Sequence, residues 1–206
     1  MGMNSAKGKY HHGNLKSELV SAGVDLVDRS GFDSVSIREL ARETSVSPAA
    51  ALRHFADLSH LKAEISQQAR QELARQCLAD WRPFEHQPLT AEVAIARFEA
   101  LSRSYVRFAK EHLNLFNAAF ALCDAMPATP DDPSPWSLLD EAVKDLVAVG
   151  VIATNMAGKA PLIAWSIVHG LATLESHNLV HVSNYKGDLE ELVIEALHRS
   201  LFSNNR

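Results

Sequence analysis

Residues 36–55 read SIRELARETSVSPAAALRHF, and the punctuation of this stretch decides the fold. Ser36 and Glu39 have the spacing of a capping box. The Ser36 hydroxyl accepts from the Glu39 backbone N–H, and the Glu39 carboxylate is expected to reach back to the N–H of Ser36. Ile37, Leu40 and Ala41 then supply one buried stripe, and the small Ala41 lets a second helix cross close by. Thr44 to Ser47 make a turn with Val46 as its inward anchor. Ser47 followed by Pro48 starts a second helix: serine caps, and proline occupies the first helical position, where no N–H is needed. The second helix is expected over 49–55. A helix, a turn of three or four residues and a second helix form a helix-turn-helix, whose second helix enters the major groove of DNA. The same spacing also describes an αα-corner in a helical protein that touches no DNA.

Outward from this stretch, residues 1–13 are polar and small and read as a flexible arm. Lys7 and Lys9 on that arm are placed to follow phosphates or enter a minor groove. Asn14 caps a first helix to about Arg29, with Leu15, Leu19, Ala22, Leu26 and Val27 on one face and Gly31 closing it. His11-His12 alone do not supply the three or four converging ligands that a metal site needs. After the helix-turn-helix, Asp57 opens a longer helix to about Trp81, carrying Leu61, Ile65, Ala69, Leu73 and Leu78.

The rest of the chain is a run of further helices. Residues 83–88 break the long helix, and Thr90 caps the next, to about Glu111, with Val93, Ala94, Phe98, Leu101, Tyr105 and Phe108 inward. An apolar helix follows over 113–125, carrying Leu115, Phe116, Ala119, Phe120 and Leu122. A proline-rich loop, 126–135, ends in Ser134-Pro135, the same start as Ser47-Pro48. The helix after it carries Trp136, Leu139, Val143, Leu146 and Val147 and stops near Gly150. Residues 159–180 are apolar nearly all round, which means burial in a core or against another chain. A last helix starts at Asp188, with Glu191 at capping-box spacing and Leu189, Leu192, Val193, Ala196, Leu197 and Leu201 as its stripe. The last two helices are therefore expected to pair with their copies in a second subunit as a four-helix bundle, through Ile163, Ile167, Leu171, Leu174, Leu192 and Ala196. Packing within one subunit would use the same stripes.

The fold class is thus all-α, about nine helices in total. A three-helix head over 14–60 joins a helical ligand-binding and dimerisation body over 61–206. The 206 residues carry 47% hydrophobic and 22% charged side chains, as a globular protein does. The net charge of −5 means that DNA affinity must come from a local basic surface, for which Lys7, Lys9, Lys16, Arg38, Arg42 and Arg53 are available. Two distant cysteines, Cys77 and Cys123, fit a reducing cytoplasm rather than a disulfide framework. No apolar run is long enough for a signal peptide or a membrane span.

Residues 10–65 resemble the DNA-binding domain of the tetracycline-repressor (TetR) family of bacterial regulators. The resemblance rests on Tyr10-His11-His12-Gly13-Asn14-Leu15, Gly31-Phe32, residues 36–41, Val46-Ser47 and Arg53-His54-Phe55, with Asp57 and Leu61. Trp165, His169 and Gly170 resemble the Trp-His-Gly signature of one C-terminal type in that family. The resemblance implies a palindromic DNA operator, a small-molecule effector and a homodimer, with the long fourth helix carrying movement between head and body. It departs at three places. Ser45 stands where the family often has glycine, at a cost of about 1 kcal/mol if φ is positive. Leu52 and Leu58 replace a tyrosine and a lysine that usually touch phosphates, which should lower affinity and its salt slope rather than change the sequence read.

The expected DNA-contact set is Lys9, Ser36, Arg38, Thr44, Ser47, Ala49, Ala50, Arg53 and His54. Alanines press on thymine methyls but form no bidentate bonds to purines, so direct readout leans on Thr44, Ser47, Arg53 and Arg38. Phe98, Phe116, Phe120, Trp136, Trp165 and His169, with Met126 nearby, are candidates to line an effector pocket; aromatic residues at this spacing also serve as plain core. Gly170 would let a neighbouring helix approach. The reading is a ligand-responsive repressor, with no cofactor, metal or membrane partner. One alternative is a helical dimer with a degenerate head that acts by protein contacts. The other is an enzyme using His112, His169, His177 or His181, but no zinc motif or nucleophile elbow accompanies them.

Overall fold

A computed structural model describes residues 15–123, 133–180 and 184–202. The fold is all-α, with nine α-helices among the described residues. α1 (Leu15–Ser30), α2 (Ile37–Glu43) and α3 (Pro48–Ala51) make the head. α4 (Leu58–Trp81), α5 (Ala91–Glu111), α6 (Leu113–Ala119), α7 (Pro135–Ala148), α8 (Ala160–Ser176) and α9 (Leu189–Leu201) follow. Asn14, expected to cap α1, lies outside the described residues, as do Lys9, Met126 and His181.

Local chemistry starts most of these helices. The side chains of Ser36, Ser47, Asp57, Thr90 and Ser134 accept from the backbone N–H three residues on, at 3.2, 3.1, 2.9, 3.3 and 3.0 Å. Each such cap contributes about 1 kcal/mol. At Ser134 the box is complete, because the Ser137 hydroxyl accepts from the Ser134 N–H at 2.9 Å. The two boxes expected elsewhere are not. Glu39 turns sideways to bind Arg42, and Glu191 leaves its helix for Arg103 at 2.6 Å, so Asp188 caps Glu190 instead.

Three helices stop earlier than their apolar pattern. α3 ends at Ala51 rather than Phe55, because Arg53 and His54 bond back to Ala50 and Ala51 with the tighter three-residue spacing. α6 ends at Ala119 rather than Ala125, and Leu122 is fully exposed. Its last carbonyl is taken from outside: Arg70 and Ser66 of α4 donate to Ala119 O at 2.8 and 3.3 Å. α8 ends at Ser176, and Asn178 beyond it takes a left-handed φ of 54°.

One continuous core runs from head to body. α4 packs against α1 on the head side and against α5, α6 and α7 in the body. α1 and α4 approach closely at Gly23, where an added Cβ would fall on the Ile65 side chain. α8 lies on α5 and α9. The buried stripe holds mostly small residues: Ala160, Ala164, Val168, Ala172 and Ser176. Leu162 and Leu174 are 58% and 44% exposed, and Ile163, Ile167 and Leu171 are only partly covered. Gly170 is exposed with nothing near it, so it admits no neighbouring helix within this chain. No helix among the described residues is long and apolar enough to cross a membrane.

Candidate nucleic-acid interface and aromatic cluster

The head fixes its outward face by what it buries. Ala51 and Phe55 are inside, so Ser47, Pro48, Ala49, Leu52, Arg53 and His54 look outward, with Ala50 half covered. The turn before them holds Ser45 at a φ of 56°, the left-handed conformation in which glycine would be easier. Arg38 on α2 is exposed on the same head. Neither Arg38 nor Arg53 has a hydrogen-bond or ion-pair partner among the described residues.

Arg42 and Lys16, the other expected cations among the described residues, are engaged. Arg42 binds Glu39 and reaches Glu43 at 3.5 Å, and its hydrogen bond holds the Glu39 carboxyl below the usual range. Lys16 pairs with Glu64 at 2.8 Å and lies over the Phe55 ring. Lys62 covers Phe32, 4.9 Å from the ring centre. The three expected hydroxyls are also partly committed: Thr44 donates to Leu40 O at 2.7 Å, and Ser36 and Ser47 serve as caps. Leu58 packs against the core, so the position where the family carries a phosphate-touching lysine is used here for packing.

In the body, four of the six expected pocket residues converge. His169 meets Phe116 at 5.6 Å, Phe120 at 4.7 Å and Trp165 at 5.3 Å between ring centres. Trp136 joins only at the edge: it is 47% exposed and stands edge-on to Trp165 at 5.8 Å. Phe98 is elsewhere, fully buried and 6.3 Å from Phe202 at the end of α9.

The residue at the centre is Tyr105, which sequence reasoning placed only in a buried stripe. Its hydroxyl lies 2.9 Å from His169 Nδ1 and accepts from Trp165 Nε1 at 3.5 Å. Burial pushes the Tyr105 phenol well above its usual range and lowers the His169 pKa. The 2.9 Å contact lets the phenol and the imidazole each satisfy the other's polar atom inside apolar surroundings. The signal available in the sequence was a phenol inside an apolar stripe, since a buried hydroxyl needs a partner. Beside this cluster is a small cavity of about 20 Å³ between Tyr105, Trp165, Ser102, Leu101, Leu139 and Val168. That is room for about one water molecule.

The remaining histidines do not join it. His112 is 3.7 Å from Asp28, and His177 bonds within its own turn to Thr173 O at 2.9 Å. Among the described residues no three His, Cys, Asp or Glu side chains converge as metal ligands. α6 connects the cluster to the head. Phe116 and Phe120 lie at its cluster side, while Asn114 donates to Asp28 O at the end of α1 at 2.9 Å.

Several solved structures share the chain's overall fold. A protein of unknown function from Rhodococcus sp. RHA1 is 27% identical over 96% of this chain and 100% of its own, with a TM-score of 0.74. A protein described as a TetR family transcriptional regulator from Vibrio parahaemolyticus is 20% identical, with 91% and 98% covered and a TM-score of 0.63. The multidrug binding protein EbrR, solved with imidazole, is 19% identical, with 90% and 94% covered and a TM-score of 0.55. No curated protein matches the chain. Residues 19–64 match the model of bacterial regulatory proteins of the tetR family, and residues 98–199 match that of the tetracyclin repressor-like C-terminal domain. Head and body answer to one regulator family, each in its proper place along the helices, and the chain therefore belongs to the TetR family of DNA-binding transcription regulators.

Proposed function

We propose that the protein is a dimeric repressor that leaves a palindromic operator when a small molecule enters its body. The observation that carries this is the contrast on the head: the side chains of Arg38 and Arg53 stand exposed with no partner among the described residues, while Arg42 and Lys16 are locked to carboxylates. On this reading residues 1–13 are an arm, 14–60 the DNA-binding unit and 61–206 the effector-binding and dimerisation unit, working in the cytoplasm. Lys9 would contact DNA from the arm, and Ser36, Thr44, Ser47, Ala49, Ala50 and His54 would line the interface around the two arginines. Two heads related by a two-fold axis would present α3 to grooves roughly 34–36 Å apart.

The dimer face is the outward side of α8, with Ile163, Ile167, Leu171 and Leu174, joined by Leu192 and Ala196 of α9. Leu174 is exposed, and Ile163, Ile167 and Leu171 are only partly covered by the chain's own core, which leaves apolar surface for a second copy. The effector site is the cluster of Tyr105, Phe116, Phe120, Trp165 and His169, with Trp136 at its edge. Its cavity lining includes no Lys, Arg, Asp or Glu, which suits an uncharged, largely apolar molecule. Because the cavity holds only about 20 Å³, a larger molecule must part the rings to fit, and α6 would pass that displacement to α1 through Asn114. A coupling of about 1–3 kcal/mol changes DNA affinity about 5–150-fold.

The test is selection of duplexes from fragmented genomic DNA. The expected result is one inverted-repeat site, lost with Arg53→Ala and weakened by salt. The second reading, a head that acts through protein contacts, is favoured by the exposed Leu52. It would be supported if no duplex were enriched even at low salt.

A further inference from the structure

The base-reading part of the head is apolar, and that narrows what it can read. Ala51 and Phe55 fix the roll of α3, which leaves Pro48, Ala49 and Leu52 outward along one side, Leu52 with 48% of its surface exposed. No Asn, Gln, Asp or Glu lies between Thr44 and Ala56. The bidentate amide that recognises adenine and the carboxylate that accepts from cytosine N4 are therefore both missing from the helix that enters the groove. The Ser47 hydroxyl is held as a cap and that of Thr44 donates to Leu40 O. Arg53 remains for guanine or phosphate. In the major groove the bases present donors, acceptors and one apolar group, the C5 methyl of thymine. An exposed leucine gains nothing against a phosphate and gains from covering a methyl.

We propose that Ala49 and Leu52 make this head a reader of 5-methylpyrimidines, with Leu52 the residue that seats a thymine methyl in each half-site. This rests on the head being a DNA reader. Leu52 is then a specificity residue rather than a lost phosphate contact. Because the group recognised is the methyl itself, 5-methylcytosine is recognised at the same place.

The experiment uses the full chain to select duplexes from a random-sequence library, and then replaces each selected thymine by deoxyuridine, which removes only the methyl. The expected loss is about fourfold per contacted methyl, the ratio that burial of one CH2-sized group provides. Leu52→Ala should shrink the thymine-to-uracil affinity ratio at one position per half-site, and that ratio, rather than absolute affinity, is the readout. Circular dichroism checks that the variant is folded. At that position a 5-methylcytosine–guanine pair should bind about fourfold tighter than a cytosine–guanine pair. If removal of the methyl changes nothing at any position, or if Leu52→Ala weakens both duplexes equally, the proposal is overturned and DNA binding stands. If the library yields no enriched duplex at low salt, the proposal falls together with the DNA-reading role of the head.

Discussion

Tyr105 and His169 are 64 residues apart in the chain and 2.9 Å apart in the fold. Desolvation among Phe116, Phe120 and Trp165 keeps the imidazole neutral, so the folded state resists a proton that the unfolded chain accepts near its ordinary value of about 6.5. Between the lowered folded value and that unfolded value, the unfolded state binds more protons. The stability that His169 contributes is thus fully present above the unfolded value. It declines as pH falls through that value and levels off below the folded one. Thermal unfolding of the wild type and His169→Gln between neutral and mildly acidic pH should show a smaller acid-side fall in Tm for the variant; parallel curves would mean that His169 titrates alike in both states. The caps were legible residue by residue, since Ser36, Ser47, Asp57, Thr90 and Ser134 each act on a backbone group three positions away. The Tyr105–His169 pair was not, because no local rule selects which distant ring a buried phenol will meet.

α4 and α6 show what a helix pattern leaves out. The apolar run after Leu113 continues to Leu122, yet α6 ends at Ala119 because Arg70 and Ser66, 49 and 53 residues upstream, take its carbonyl. Helix starts here are written locally, and this helix end is written by tertiary contacts. α1 and α4 meet at Gly23, where an added methyl would lie on Ile65 Cδ1 and 2.7 Å from Ile65 Cγ1. Gly23→Ala is expected to destabilise the head by about 1–3 kcal/mol through overpacking. Adding Ile65→Val, which deletes the nearest carbon, should recover part of the loss. Chemical denaturation measures both, and a Gly23→Ala variant as stable as wild type would show that α1 and α4 separate freely.

At the scale of the molecule, the decisive feature is the sorting of α8 by side-chain size. Its apolar character was plain in the sequence, but apolar residues on every side leave open which side faces in. The buried stripe includes Ala160, Ala164, Val168 and Ala172, Leu162 and Leu174 are exposed, and Ile163, Ile167 and Leu171 are half covered. Leu171, Leu174 and Leu192, with Tyr185, border an open groove of about 570 Å³. For the proposed dimer, Leu174→Glu would set a carboxylate in that face, and analytical ultracentrifugation should find a monomer where the wild type is dimeric. The wild-type Tm should also rise with protein concentration, and that of the variant should not. An unchanged sedimentation coefficient would move the interface elsewhere. That sorting has a genetic consequence as well. The proposed subunit surface on α8 and α9 includes no residue of the head, so a subunit with a ruined head would keep its grip on a sound one. In a cell making both kinds in equal amounts, random pairing leaves only about a quarter of the dimers with two working heads. Lesions in the head would then be dominant over the normal allele, while lesions in α8 would be recessive.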